Sequence, residues 1–353
     1  MQKPFALLIC CMAFLVACAG RGELAIVTLN APVTQVEHIF VATTRQRSTD
    51  KPYDFNGLRT SELTYAQYDI SLPPDHATGK IEWPKAKPNA ATDFVVTNAE
   101  IFNNKVAFRS KLTAANKSQK NKDEVVVFIH GYNNNFAESL YRFAQISADM
   151  DLRATPVLYA WPTTEKSYEY LHDRDSALFA RDGLQTLLEQ ITRSGTKRLI
   201  IVAHSIGSNL LMETLRQMAI GGDKRVARII DGIILISPDI DQSVFQLQLS
   251  HLNPVPNPFV VFSTANDRAL KVMSFLTGRQ QRLGQITHSD RLAKHGIQVV
   301  NLSKFTDGDI LNHSVALTSP SVIAILKKIP ANRALSKHNS GNPLTLMQHL
   351  FKQ

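Results

Sequence analysis

Ser205 stands where an apolar run ends and a helical pattern begins. The run is Leu199-Ile200-Ile201-Val202-Ala203-His204, and the pattern opens with Ile206-Gly207. Small residues two before and two after the serine suit a sharp strand-to-helix turn, because bulk at either place would strike the strand or the helix. A serine presented on such a turn is a nucleophile once a neighbouring base takes its proton. Ala203 replaces the usual glycine, a change the turn can absorb because alanine is still small. The competing role for Ser205 is to cap the helix; the buried-type strand leading into it favours the nucleophile.

A second group of residues could serve that serine. His130-Gly131-Tyr132-Asn133 directly follows the apolar run Val125–Ile129. In folds that carry a nucleophile elbow, this loop supplies one N–H to the oxyanion hole and the residue after the nucleophile supplies the other. The expected donors are the N–H groups of Tyr132 and Ile206. Gly131 lets the backbone come close to a substrate, while Asn133–Asn135 fit a helix cap. The acid and the base must follow the serine in the chain. Asp267, just after the apolar run Phe259–Phe262, is the favoured acid, with Asp239 and Asp241 as competitors after the preceding strand. Asp241 also suits a cap for a helix over residues 242–249. His313 follows the last strand and is the expected base; His288 and His295 precede that strand and fall at the wrong edge.

The elements around these residues point to one architecture. From residue 123 strands and helices alternate, the mark of a mainly parallel sheet with helices on both faces. Strands are expected at 125–129, 156–160, 199–203, 229–236, 259–262 and 297–300. Helices are expected at 136–150, 173–192, 209–218 and 321–328. Residues 36–115 read as N-terminal strands, with Ala66, Tyr68, Ile70 and Leu72 alternating at period two. Residues 75–92 read as a surface loop. The expected fold is the α/β-hydrolase fold, with N-terminal antiparallel strands added to the sheet, as a single domain over 36–330 and a catalytic core over 123–330. Residues 331–353 form a C-terminal tail.

Composition narrows the class further. The chain has 353 residues, 44% hydrophobic and 20% charged, as in an ordinary globular protein. Its 39 Lys and Arg against 30 Asp and Glu leave a net charge of +9. The basic residues are scattered rather than gathered in a stripe with aromatics, so no nucleic-acid partner is expected. No H-E-x-x-H or comparable ligand spacing occurs, and the reaction requires no metal or organic cofactor.

The N-terminus speaks to location. Lys3 and the apolar stretch 5–17 have the form of a signal peptide, read over residues 1–17. It ends in Leu15-Val16-Ala17-Cys18, which resembles the lipobox of bacterial lipoproteins. That resemblance implies cleavage before Cys18, a lipid on its thiol, a tether over 18–35 and attachment to the membrane. Ala19 in place of Asp favours the outer membrane, facing the periplasm. The alternative is an ordinary signal peptide with Cys18 near the cut by chance. The three cysteines are Cys10, Cys11 and Cys18, so the mature chain has no disulfide and no cysteine nucleophile.

Taken together, HGYNNNF at 130–136, Tyr159-Ala160-Trp161-Pro162, Tyr170–Ala177 and AHSIG at 203–207 resemble a family of bacterial α/β-hydrolases, mostly uncharacterised and described as esterase- or lipase-like. Phe40–Arg45, Ser71–Pro74, Ser237–Asp241 and Arg282–Gly284 extend the resemblance over roughly residues 36–328. It implies a serine hydrolase acting on carboxylic esters through Ser205, His313 and Asp267. The expected partner is a small ester or acyl substrate, with lipid or envelope esters included on grounds of location. An acyltransferase with the same triad and a non-catalytic envelope lipoprotein are the alternatives.

Overall fold

A computed structural model of the chain describes residues 21–29, 35–166, 168–278 and 281–328. The expected signal peptide, Cys18 and the tail 331–353 lie outside the described residues. Among the described residues nine strands form one sheet: β1 Gln35–Arg47, β2 Phe55–Leu72, β3 Val95–Phe102, β4 Glu124–Ile129, β5 Thr155–Ala160, β6 Arg198–His204, β7 Ile230–Ile236, β8 Phe259–Ser263 and β9 Ile297–Asn301. Their order is β3-β2-β1-β5-β4-β6-β7-β8-β9. The pairs β1–β2 and β2–β3 are antiparallel, and every other neighbouring pair is parallel. This is the α/β-hydrolase fold.

β4 shows how the sequence builds it. Val125, Val127 and Ile129 enter one core, while Val126 and Phe128 enter the other, because successive side chains leave a strand on opposite faces. A strand covered on both faces reads as a continuous apolar run rather than an alternation. Among the described residues the α-helices are α1 Lys105–Ser118, α2 Phe136–Asp149, α3 Tyr170–Phe179, α4 Arg181–Arg193, α5 Ile206–Ile220, α6 Arg225–Ile229, α7 Gln242–Ser250, α8 Arg268–Leu276, α9 Asp290–Ala293, α10 Val315–Thr318 and α11 Pro320–Lys328. Helices α1, α4 and α5 cover the first core through Phe108, Leu187 and Leu211. The second is covered by α2 and the C-terminal pair, through Leu140, Val315 and Val322.

Three features of the helices depart from the sequence reading. Residues 105–118, read among the N-terminal strands, form α1. Its buried stripe is only Phe108, Leu112 and Asn116, and Asn104 caps its start by accepting from the N–H groups of Val106 and Ala107. The single helix expected over 173–192 is two, α3 and α4, meeting at Ala180, whose carbonyl accepts from the Tyr159 hydroxyl at 2.5 Å. Helix α8 follows Asp267, which caps it, where no helix was expected. The described part of the expected tether, residues 21–29, packs on the domain. The Ala25 carbonyl accepts from Val96 N at 2.8 Å, and Val27 N donates to the Val96 carbonyl at 2.9 Å. This short bridge covers part of the exposed edge of β3, which would otherwise present unpaired backbone groups. No helix among the described residues is long and apolar enough to cross a membrane.

Candidate active site

The sheet changes winding direction at β4, which has β5 on one side and β6 on the other. In open α/β sheets the crevice beyond the strand ends at such a point is the usual binding place. β4 ends at Ile129 and β6 at His204, so His130-Gly131 and Ser205 emerge side by side there. Ser205 has φ 55° and ψ −126°, a region that a side chain enters only at a cost of order 1–3 kcal/mol. The surroundings hold it there. Ser205 N donates to the Ile236 carbonyl at 2.9 Å, and Asp239 N donates to the Ser205 carbonyl at 3.2 Å. Gly207 lets α5 approach β4: a Cβ there would stand 2.3 Å from the His130 carbonyl oxygen and 2.9 Å from that of Ile129. Ala203, fully buried, fills the other neighbouring position.

The loop after β4 is pressed against the serine. A Cβ on Gly131 would lie 2.6 Å from His204 Nδ1 and 3.0 Å from Ser205 Cβ. Tyr132 follows on this loop, and Ile206 opens α5, where the first backbone N–H groups have no partner within the helix. Asn134 donates to the Tyr132 carbonyl at 2.8 Å, and Asn133 adopts φ 54°. Asn135 and Glu138 form a reciprocal cap at the start of α2. His130 is buried against Trp161. Its ring stacks on Trp161 with centroids 5.1 Å apart, and Trp161 Nε1 donates to the His130 carbonyl at 2.8 Å. Burial, reinforced by the charge of Arg45, lowers the His130 pKa to about 3, so its imidazole is neutral.

Asp267 and His313 meet directly. Asp267 Oδ2 lies 2.7 Å from His313 Nδ1. A carboxylate only accepts, so the proton sits on Nδ1 and leaves Nε2 as the basic nitrogen of the neutral ring. The other Asp267 oxygen accepts from Leu270 N at 2.8 Å. Asp267 is fully buried, whereas 15% of the His313 side chain stays exposed, so protons can reach the ring. Burial alone would lower the His313 pKa, but Asp267, with Asp239 and Asp309, outweighs it and raises the pKa above the ordinary value. Asp309 also fixes the backbone, accepting from His313 N at 3.1 Å and Ser314 N at 2.7 Å.

The competing carboxylates have other partners. Asp239 accepts from the Tyr170 hydroxyl at 2.6 Å and stands 3.2 Å from Arg282 Nε. Asp241 caps α7 through the N–H groups of Ser243 and Val244, the structural role open to it from the sequence. No hydrogen bond joins Ser205 to His313 among the described residues. His204 connects their surroundings instead: its ring lies 4.8 Å from that of His313, and its Nε2 donates to the His313 carbonyl at 3.2 Å. His288, 77% exposed, pairs with Asp290.

The sequence reading passed over Arg45. Its side chain is fully buried and donates to the Asn134 carbonyl at 2.5 Å, to Thr163 Oγ1 at 3.1 Å and to Glu165 at 3.2 Å. It therefore ties β1 to the loops after β4 and β5. Burial lowers its pKa to about 10, which still leaves it charged at neutral pH. Asp173 performs a similar task, accepting from Thr164 N at 2.8 Å and Asn133 N at 3.4 Å. A charged residue inside an apolar opening strand was the available signal for Arg45; Asp173, in a polar helix, offered none. Among the described residues no group of three or more His, Cys, Asp or Glu could hold a metal ion.

The chain belongs to the family described as alpha/beta hydrolases of unknown function, whose pattern matches residues 104–332. No curated protein matches it. Among solved structures it is similar to lipase B of Aspergillus fumigatus, at 14% identity and TM-score 0.41, over 80% of this chain and 59% of that one. This chain thus spans less than two thirds of the lipase. It is also similar to an esterase of Rhizomucor miehei, at 14% identity and TM-score 0.37, over 76% and 78% of the two chains. An esterase of Pseudomonas putida gives 13% and 0.36, over 75% and 76%. At these identities and scores the likenesses carry no argument about substrate.

Proposed function

We propose that this member of the α/β-hydrolase family is a serine esterase that works through an acyl-enzyme. The observation that carries the reading is the 2.7 Å contact between buried Asp267 and His313 Nδ1, at the same strand ends as the strained Ser205. His313 Nε2 takes the proton of Ser205 Oγ as the oxygen attacks the ester carbonyl. The resulting oxyanion accepts from the N–H groups of Tyr132 and Ile206, each donor stabilising the transition state by about 3–4 kcal/mol. The intermediate collapses, the C–O bond to the alcohol breaks, and His313 returns the proton to the leaving oxygen. Water then repeats the sequence on the acyl-enzyme, releasing the acid and restoring Ser205. Asp267 holds the tautomer in which Nε2 can accept, and it stabilises the imidazolium that forms.

The α7 segment that follows β7 has nine residues, too short for a large lid, which supports accessible acyl esters as substrates. The test is labelling by a fluorophosphonate probe together with hydrolysis of p-nitrophenyl esters of graded chain length. Both should vanish in Ser205→Ala while the melting temperature holds. Full labelling of Ser205→Ala would place the nucleophile elsewhere, and transfer of the acyl group to added alcohol in preference to water would make the protein an acyltransferase. Location is a proposal on the sequence alone: Cys18, lipidated, anchors the chain to the outer membrane on its periplasmic side.

A further inference from the structure

The N-terminal segment makes a set of bonds that neither the fold nor the triad calls for. Arg21 Nη1 donates to Asn133 Oδ1 at 3.0 Å, and its Nη2 donates to the Asn133 carbonyl at 2.8 Å and to Glu138 Oε2 at 2.7 Å. Gly22 N donates to Glu138 Oε1 at 3.1 Å, and Asn135 Nδ2 donates to the Gly22 carbonyl at 2.7 Å. Two consecutive residues thus grip the stretch 133–138, which begins immediately after Tyr132. The seat is tight: a Cβ on Gly22 would fall 2.3 Å from the Trp83 ring and 2.9 Å from Glu138. Further along, Ala25 N donates to the Tyr141 hydroxyl at 3.0 Å.

We propose that residues 21–27 are a strap over the oxyanion loop, and that Arg21 is a positioning residue for the Tyr132 N–H. The proposal rests on the esterase reading, in which that N–H receives the oxyanion. Asn133 sits in the left-handed region at φ 54°, which asparagine enters more readily than other side chains though still at some cost. Arg21 braces that conformation by holding both the side chain and the carbonyl of Asn133. The same guanidinium rests on Glu138, whose carboxylate also accepts from Asn135 N at 3.0 Å in the cap of α2. The loop is therefore held at Asn133 by Arg21 and at the Asn134 carbonyl by Arg45. A planar fork can make the three bonds at once, and a lysine ammonium cannot reproduce that geometry.

The test compares the wild-type protein with Arg21→Ala and Arg21→Lys, reading ester hydrolysis and amide hydrogen exchange over residues 131–135. Arg21→Ala should exchange faster there and lose roughly tenfold or more in kcat, since misplacement by about 1 Å can cost 10²-fold. KM should change little, because an oxyanion donor acts mainly in the transition state, and the midpoint of the pH–rate profile should stay put, because Arg21 bonds to Asn133 and Glu138 and not to the Asp267–His313 pair. Arg21→Lys should recover part of kcat through its charge on Glu138, and free guanidinium ion at a non-denaturing concentration should partly rescue Arg21→Ala. Unchanged exchange in Arg21→Ala overturns the strap. Faster exchange with unchanged kcat overturns the positioning role. Should the wild-type protein hydrolyse no ester, the esterase reading fails by itself, and the exchange experiment still decides whether the strap orders the loop.

Discussion

The Nε2 hydrogen of His204 points at the carbonyl oxygen of His313, 3.2 Å away. That bond serves a neutral or a protonated ring alike, and it is the surroundings that keep the ring at 204 neutral. Burial first, and then the nearby charge of His313, keep its pKa well below 6.5. Once the chain unfolds, the pKa returns to about 6.5, so below that pH the unfolded chain binds a proton that the folded one refuses. The stability this site contributes is present at neutral pH and is lost as pH falls through about 6.5. His130, lowered to about 3, acts in the same sense. His38, His76 and His313, whose pKa values are raised, act in the opposite sense, so the site shows as a difference: the melting temperature of His204→Gln should gain on that of the wild-type protein as pH falls from 7 to 5. Parallel curves for the two proteins would show that His204 titrates normally in the folded state.

His313 titrates in the opposite sense, and activity reports it. Its pKa is raised, so kcat/KM should fall as pH drops through a midpoint above 6.5, where Nε2 becomes protonated and can no longer accept. A pH–rate profile on a short-chain ester measures the midpoint. One at or below 6.5 contradicts the charge-assisted contact with Asp267.

Replacing that contact is the sharper experiment. Asp267→Asn should lower kcat steeply with KM nearly unchanged, by about 10⁴ if the site follows the serine-protease template, because the amide favours the wrong tautomer. Asp241→Asn should cost little in rate, since Asp241 caps α7. Asp239→Asn should lower the melting temperature more than kcat, because it weakens the partner of Arg282, itself nearly buried. A ranking with Asp239→Asn or Asp241→Asn as the severe rate mutant would move the acid to the end of β7.

Gly207→Ala should both destabilise and slow the protein. The added methyl meets the backbone oxygens of His130 and Ile129, which can yield only if β4 and α5 separate. Overpacking of this kind costs about 1–3 kcal/mol, and the separation would carry Ser205 away from Gly131. Gly221→Ala is the control. Its Cβ would meet nothing closer than 3.4 Å, and its φ is −69°, so the change should stay within about 0.5 kcal/mol. Thermal melts and kcat for the two variants separate a packing requirement from a general intolerance of substitution.

Cys18→Ser should release the protein from the membrane fraction. Stable attachment takes more than one acyl chain, which a diacylglycerol on Cys18 would meet. Because Arg21 is bound to the loop after β4, a lipid on Cys18 could sit only about 11 Å along the chain from that loop, at 3.8 Å per residue. Mass spectrometry of the mature N-terminus checks the modification, and an unmodified start beyond residue 18 rules it out.

What could be read from the sequence was written in adjacent residues. The elbow at Ser205, the buried run of β4 and the glycine after His130 each depend on neighbours within a few positions, so their residue types alone carried the pattern. The placing of Asp241 as a helix cap was legible for the same reason. Tertiary structure decided whatever depends on residues far apart in the chain. Asp239, Asp241 and Asp267 all follow strands, and the sequence favours Asp267 only by which strand it follows; the packing of the β9–α10 loop puts His313 against Asp267 and leaves Asp239 to Arg282. Helix α1 stayed hidden because two buried apolar side chains, Phe108 and Leu112, make too short a stripe to register without the core they fill. Arg21 is an unremarkable charge after a leader-like segment until its guanidinium meets Asn133 and Glu138, more than a hundred residues away. Local sterics and alternation leave a trace in the sequence; the closing of distant segments on one another exists only once the chain has folded.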